Sequence, residues 1–287
     1  MKKILLSGLL LAALACASCS KDGDTIIGFQ VPQDVKKDFA SRFATASQTG
    51  QTTWDRDGNK VYIDFLDAAG HSGTAVYTNH QWSRTLRALT SERDLPSGVL
   101  KAFLRSEYVE SLVNGFDSIV EVDQALMAHK VYLLSFRTGE EETDPVRTMA
   151  ISDDGLVLHI FPALVDDQKD AEPAAADVSW MGVNYRAGVI EGFLRQGGHN
   201  YYYLLHNGVV KQVDFCSGTH GNVWVETSYT LPEGADVPER VLTVLRSYDE
   251  NFEYDEVEVI ETAKGTSYVF VDSHRTDCEV TYRVNDY

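Results

Sequence analysis

The sequence predicts an α+β protein built from tandem helix-plus-antiparallel-sheet units, with the helices packed on one face of each sheet. Three observations predict it. A proline-led apolar motif recurs along the chain, and runs of alternating apolar and polar residues follow it. A tryptophan also stands 14 residues before the motif's proline in two places, Trp82 before Pro96 and Trp224 before Pro238.

The motif reads Val31-Pro32-Gln33-Asp34-Val35, Leu95-Pro96-Ser97-Gly98-Val99 and Val237-Pro238-Glu239-Arg240-Val241. Each copy has valine three residues after proline and a large apolar residue four further on: Phe39, Phe103 and Leu245. An aromatic follows at Phe43, Tyr108 and Tyr248. Proline suits the first turn of a helix, where its missing N–H costs nothing, and residues four apart share one helical face. Each copy therefore predicts a short amphipathic helix. A third unit lacks this signature, and its helix is expected on Tyr185, Val189, Ile190, Phe193 and Leu194.

Strands are expected after each helix. The first unit has Val61–Phe65, closing a hairpin that begins at Asp57-Gly58-Asn59, then 73–78 and 81–89. The second has 118–122, 130–136, 146–151 and 156–161; the third has 200–205, 209–215 and 222–229, with a turn at Asn207-Gly208. The fourth has 256–260, 267–271 and 278–284. Between the halves, Asp166, Asp167, Asp170, Glu172, Pro173 and three alanines read as a solvated acidic linker.

The N-terminus carries its own message. Lys2 and Lys3 precede an apolar run from Ile4 to Ala15, the order of a secretory signal and too short for a bilayer span of about 20 residues. Cys16 and Cys19 follow among small residues, which resembles a lipobox. Cys19, trailed by Ser20-Lys21-Asp22-Gly23-Asp24, is the preferred lipidation site and Cys16 the alternative. That acidic tail resembles the signal that sends lipoproteins of Bacteroides-type bacteria to the cell surface. The expected division is signal 1–18, tether 19–30, first domain 31–164, linker 165–177 and second domain 178–287. The expected location is the outer membrane, held by the lipid alone and surface-exposed.

A formal charge of −18 leaves no basic footprint for nucleic acid or an anionic membrane surface. No Gly-x-Ser-x-Gly elbow, His-Glu-x-x-His helix or phosphate loop occurs, so no catalytic residue, cofactor or metal is assigned and the chain reads as non-enzymatic. Cys216 and Cys278 could close a disulfide loop of about 63 residues, worth roughly 4 kcal/mol, stay as thiols, or join His220 and His274 around zinc. Trp224 and Tyr202, the latter within Tyr201-Tyr202-Tyr203, are candidate binding aromatics, with core packing as the alternative.

The string Val31-Pro32, Phe43, Trp54, Val61-Tyr62, Phe65, Trp82 and Leu95-Pro96 resembles the PepSY-like, β-lactamase-inhibitor-like (BLIP-like) secreted proteins of Bacteroides-type bacteria. The resemblance covers most of residues 30–161 and, more weakly, 183–287. It implies antiparallel sheets with helices on one face, in tandem, and no established activity. The expected function is a cell-envelope binding or inhibitory module that uses an open sheet face to contact a protein or peptide. A surface glycan-binding accessory lipoprotein is the alternative.

Overall fold

A computed structural model describes residues 30–49, 52–111, 115–139, 141–219, 221–272 and 280–286. The chain is mostly antiparallel sheet, arranged as two meanders with a few helices. The first sheet runs β1 (Thr52–Asp57), β2 (Lys60–Leu66), β3 (Ser72–Thr78), β4 (Gln81–Leu89), β5 (Ser118–Gln124), β6 (Val131–Arg137), β7 (Val146–Ser152) and β8 (Val157–Phe161), in sequence order. The second holds β9 (Val189–Gln196), β10 (His199–His206), β11 (Val209–Gly218), β12 (Gly221–Thr230), β13 (Glu256–Thr262), β14 (Gly265–Asp272) and β15 (Val280–Asp286), again in order. Tight turns explain the order. Asn207 and Gly208 both take positive φ, 54° and 78°, which suits the two-residue hairpin between β10 and β11.

Helix α1 (Gln33–Arg42) and the short α2 (Ala44–Thr49) precede β1; α3 (Ser97–Leu104) lies between β4 and β5, and α5 (Glu239–Tyr248) between β12 and β13. Pro32, Pro96 and Pro238 are the N-caps of α1, α3 and α5. The valine and the large residue of each motif are buried: Val35 and Phe39, Val99 and Phe103, Val241 and Leu245. Val35 and Phe39 pack with Val61, Ile63, Phe65, Ala75 and Tyr77. Val99 and Phe103 meet Ile119, Tyr132, Leu134, Phe136 and Met149, while Val241 and Leu245 meet Val257, Phe270 and Val284. Tyr248 departs from the pattern. It is 63% exposed and lies parallel to Tyr282, 6.1 Å away.

The third unit corrects the sequence reading. Val189–Gln196 is strand β9, and the helix is α4, Ala175–Asn184. Counted from the helix start, Asp177 and Met181 occupy the positions of Val35 and Phe39, and both are buried. Tyr185 caps the C-terminus as Phe43 does in α1, each donating its N–H back to the residue four earlier. The apolar spacing fails at one point only, where an aspartate replaces the valine. That aspartate hid the helix, and the apolar β9 supplied a false helical face.

The supposed linker is corrected as well. Residues 166–174 form a strap that joins the two sheets, with Gln168 and Ala171 buried. The Gln168 side-chain amide donates to Arg195 O at 2.9 Å and accepts from Arg195 N at 2.9 Å, so it satisfies the backbone on the outer edge of β9. On the first sheet, Tyr62 donates to Asp170 at 2.5 Å and Thr78 to Glu172. Arg84, fully buried, donates to Gln168 O at 3.0 Å; burial lowers its pKa to about 10 against the pull of Glu172 and Asp170.

The sheet faces away from these helix cores are therefore not all free. Val122, Val131, Leu133, Ala150, Leu158 and Phe161 of the first sheet form one buried cluster with Leu194 and Tyr203 of the second. Ala128 N–H donates to Ile190 O across this seam at 3.0 Å. Gly192 is required here, since a Cβ on it would stand 2.8 Å from Val131 Cγ2. No helix among the described residues is long and apolar enough to cross a membrane.

Candidate functional site

Because the sheets meet over only part of their faces, a groove of about 560 Å³ remains beside the seam. One wall is Leu156–His159, at the last strand of the first sheet. The other wall and floor are Val209, Val210 and Gln212 of β11, Ser228–Thr230 of β12 and Glu258 of β13, with Leu231 and Pro232 at one end. Strand β8 pairs only with β7, so its second backbone edge is unmatched within the sheet. An unpaired edge beside a concave face can accept an extended segment as an added strand.

The floor and its surroundings are acidic. Burial raises the Glu258 pKa, and repulsion from Glu226 and Glu256 adds to this while Arg283 opposes it. Burial also raises Asp214, offset in part by His199, whose Nδ1 lies 2.9 Å from both carboxylate oxygens. Burial lowers the pKa of His159, so its imidazole is neutral at pH 7. Among the described residues, each histidine hydrogen bond goes to an aspartate, and no hydroxyl or thiol is held by one. The groove thus presents hydrogen-bonding groups and partial negative charge without an activated nucleophile.

The structure separates the candidate aromatics from the groove. Tyr202 is fully buried; its hydroxyl donates to Asp177 at 3.0 Å and accepts from Ala174 N–H at 2.9 Å. It belongs to the core, not to a contact surface. Trp224 packs against the α4 cluster, 5.0 Å from Trp180 and close to parallel. Simple alternation would put it on one face with Glu226 and Ser228. A β-bulge between Asp214 and Phe215 breaks that alternation and turns the indole inward, where Nε1 donates to Thr227 at 3.0 Å. Trp82 repeats the device: the bulge lies between Val76 and Tyr77, and Nε1 donates to Thr85 at 2.9 Å. The shared Trp-to-Pro spacing thus marks a shared structural bulge.

Cys216, on β11, forms no disulfide among the described residues. Cys278, His220 and His274 lie outside the described residues, as do Cys16 and Cys19. The sequence reading missed the groove, because its two walls come from strands about 50 or more residues apart and no motif links them.

Comparison with solved structures finds proteins of the resembled kind. The chain is similar to a BLIP-like protein from Bacteroides fragilis, at 19% identity over 51% of this chain and 97% of that one, with a TM-score of 0.41. It is also similar to DUF2874 family proteins from Bacteroides ovatus (19% identity, 47% of this chain and 89% of that one, TM-score 0.38) and Bacteroides uniformis (17%, 46% and 88%, 0.37). No family model matches the chain. No curated protein matches it.

Proposed function

We propose that this chain is a non-catalytic, exported binding module that holds an extended protein or peptide segment, bearing lysine or arginine, in the groove between β8 and the exposed face of the second sheet. The observation that carries this reading is the unmatched edge of β8 beside a floor lined by Gln212, Ser228 and Glu258. Backbone hydrogen bonds to β8 supply affinity, and the carboxylates select basic side chains. The reading takes each sheet as two fused helix-plus-strand units whose helices lie on one face, within a first domain 31–164 and a second that begins with α4 at Ala175. Lys2, Lys3, the apolar run and Cys19 support export and lipid anchoring at the outer membrane.

The glycan alternative gains nothing from the aromatic rings. Trp224 is engaged by Trp180, and Tyr201 lies near-parallel to His199 and His159 at 5.9 and 6.3 Å. The test is selection of displayed peptides against the full-length protein in detergent. Peptides with alternating basic residues are expected, and Ser228→Arg, which fills and charges the floor, is expected to weaken them at least tenfold. Peptides that bind Ser228→Arg as well as wild type refute the site.

A further inference from the structure

Where the strap crosses the first sheet, one arginine is incompletely matched. Arg84, on β4, is 0% exposed, and its Nη1 donates to Gln168 O at 3.0 Å. Its Nε and Nη2 are buried and meet no hydrogen-bond acceptor among the described residues. Gln124 stands directly opposite on β5 and is 4% exposed. Its amide oxygen and amide nitrogen are likewise buried, with no partner among the described residues. We propose that Arg84 and Gln124 form a binding site for an internal water molecule that ties the strap to the first sheet.

The Nε–H and one Nη2–H of a guanidinium point the same way and form a fork for one acceptor group. Elsewhere in this chain that fork is filled. Nε and Nη2 of Arg87 hold Glu121 at 3.0 and 2.7 Å, and the same two atoms of Arg240 hold Asp286. On Arg84 the fork is sealed from solvent and has no protein acceptor. Gln124 shares its side of the sheet, because residues directly opposite in an antiparallel pair face the same way, with Cβ atoms about 4.5–5.5 Å apart. The pairing is firm at this point, where Ala125 N–H donates to Ser83 O at 2.8 Å. Glu172 Oε1 of the strap lies 3.9 Å from Arg84 Nη2, beyond direct hydrogen bonding and at a spacing that a water can bridge.

The mix of donors and acceptor identifies the ligand. Arg84 Nε and Nη2 and the Gln124 amide nitrogen donate, while the Gln124 amide oxygen accepts. Exchanging the oxygen and nitrogen of that amide leaves the same count. An anion only accepts. It would leave the amide oxygen unmatched and would stand near Glu172 and Asp170, whose charges already act on Arg84. A cation would be repelled by the guanidinium. Water accepts from the fork and donates to the amide oxygen, and buried waters typically make about three such bonds to groups that the protein itself leaves unmatched. The strap is already fixed to β9 through Gln168, so this water joins the same segment to the other sheet.

The test is a crystal structure of the full-length protein grown in sodium bromide. The expected result is an ordered peak about 2.7–3.2 Å from Arg84 Nε or Nη2 and from the Gln124 amide, with no anomalous signal. An anomalous bromide peak in the fork would show an anion site. Glu172 seated in the fork, or no peak there, would show that the protein needs no ligand at this point. Each of these results overturns the proposal. In solution, oxygen-17 relaxation dispersion counts long-lived waters. The double variant Arg84→Met with Gln124→Leu is expected to hold at least one fewer than wild type, with circular dichroism confirming its fold. An equal count in the folded double variant overturns the site as well.

Discussion

Helices α1 and α4 hold the same place in the two halves of the chain, and their cores are built differently. Under α1, Val35 fills an apolar cluster with Phe39, Ile63, Phe65 and Tyr77. Under α4, the matching residue is Asp177, 1% exposed, and its Oδ2 accepts from Asn222 at 2.8 Å, Tyr202 at 3.0 Å and Asn200 at 3.2 Å. One scaffold therefore tolerates a carboxylate or a methyl pair at the same point, provided the facing strands supply donors. What the helix position demands is a match with its strands, not apolarity as such.

Exchanging the two solutions breaks the comparison most severely. Val35→Asp places a carboxylate among apolar side chains with no donors, and the expected loss is about 4 kcal/mol in denaturant unfolding. Asp177→Val leaves three donors without their acceptor and is expected to cost roughly 3 kcal/mol. Adding Asn200→Leu and Asn222→Leu to it is expected to recover more than half of that loss. If the triple variant is no better than the single one, polar matching does not explain the α4 core.

The first sheet also carries a charged partition between its two helix cores. Arg87 Nη2 donates to Glu121 at 2.7 and 2.8 Å, and Lys130 at 3.1 Å and Tyr132 at 2.8 Å donate to the same carboxylate. Burial raises the Glu121 pKa, but Lys130 and Arg87 outweigh it, so the net shift is downward. A lowered carboxylate contributes stability that is present above the ordinary value of about 4.3 and is lost as pH falls through the folded value. Glu121→Gln is expected to cost about 2 kcal/mol at pH 7, and its gap to wild type is expected to narrow below about pH 4 in thermal melts. The second sheet answers with Glu261, which accepts from Tyr185, Lys211 and Tyr229.

The smallest effects test the matched bulges. Trp82→Phe and Trp224→Phe each remove one indole-to-threonine bond and are expected to cost about 1 kcal/mol apiece. Unequal losses would show that Trp224 draws more from Trp180 than from Thr227.

Much of the strand order was legible because alternation and turn residues are local signals. Asn207-Gly208 and Asp57-Gly58-Asn59 each mark a hairpin, and the Pro-led helices announce themselves through Val35, Val99 and Val241. The failures came where local pattern and tertiary role part. Asp177 breaks an apolar face because its partners lie on β10 and β12. The strap looks solvated by composition, yet Gln168 is buried through the backbone of Arg195. Trp224 lies off the Glu226 face because of a bulge, which alternation alone does not reveal. The groove depends on how two sheets meet, which no single segment encodes.

The central claim is that the unmatched edge of β8 and the neighbouring face of the second sheet together receive an extended segment. Hydrogen–deuterium exchange with a selected peptide bound to the full-length protein tests it directly. The account predicts slowed exchange in 157–161, 209–212 and 228–231, with the edge strands β1 and β15 unchanged. Slowing at β1 or β15 instead, or at none of these strands, would contradict it.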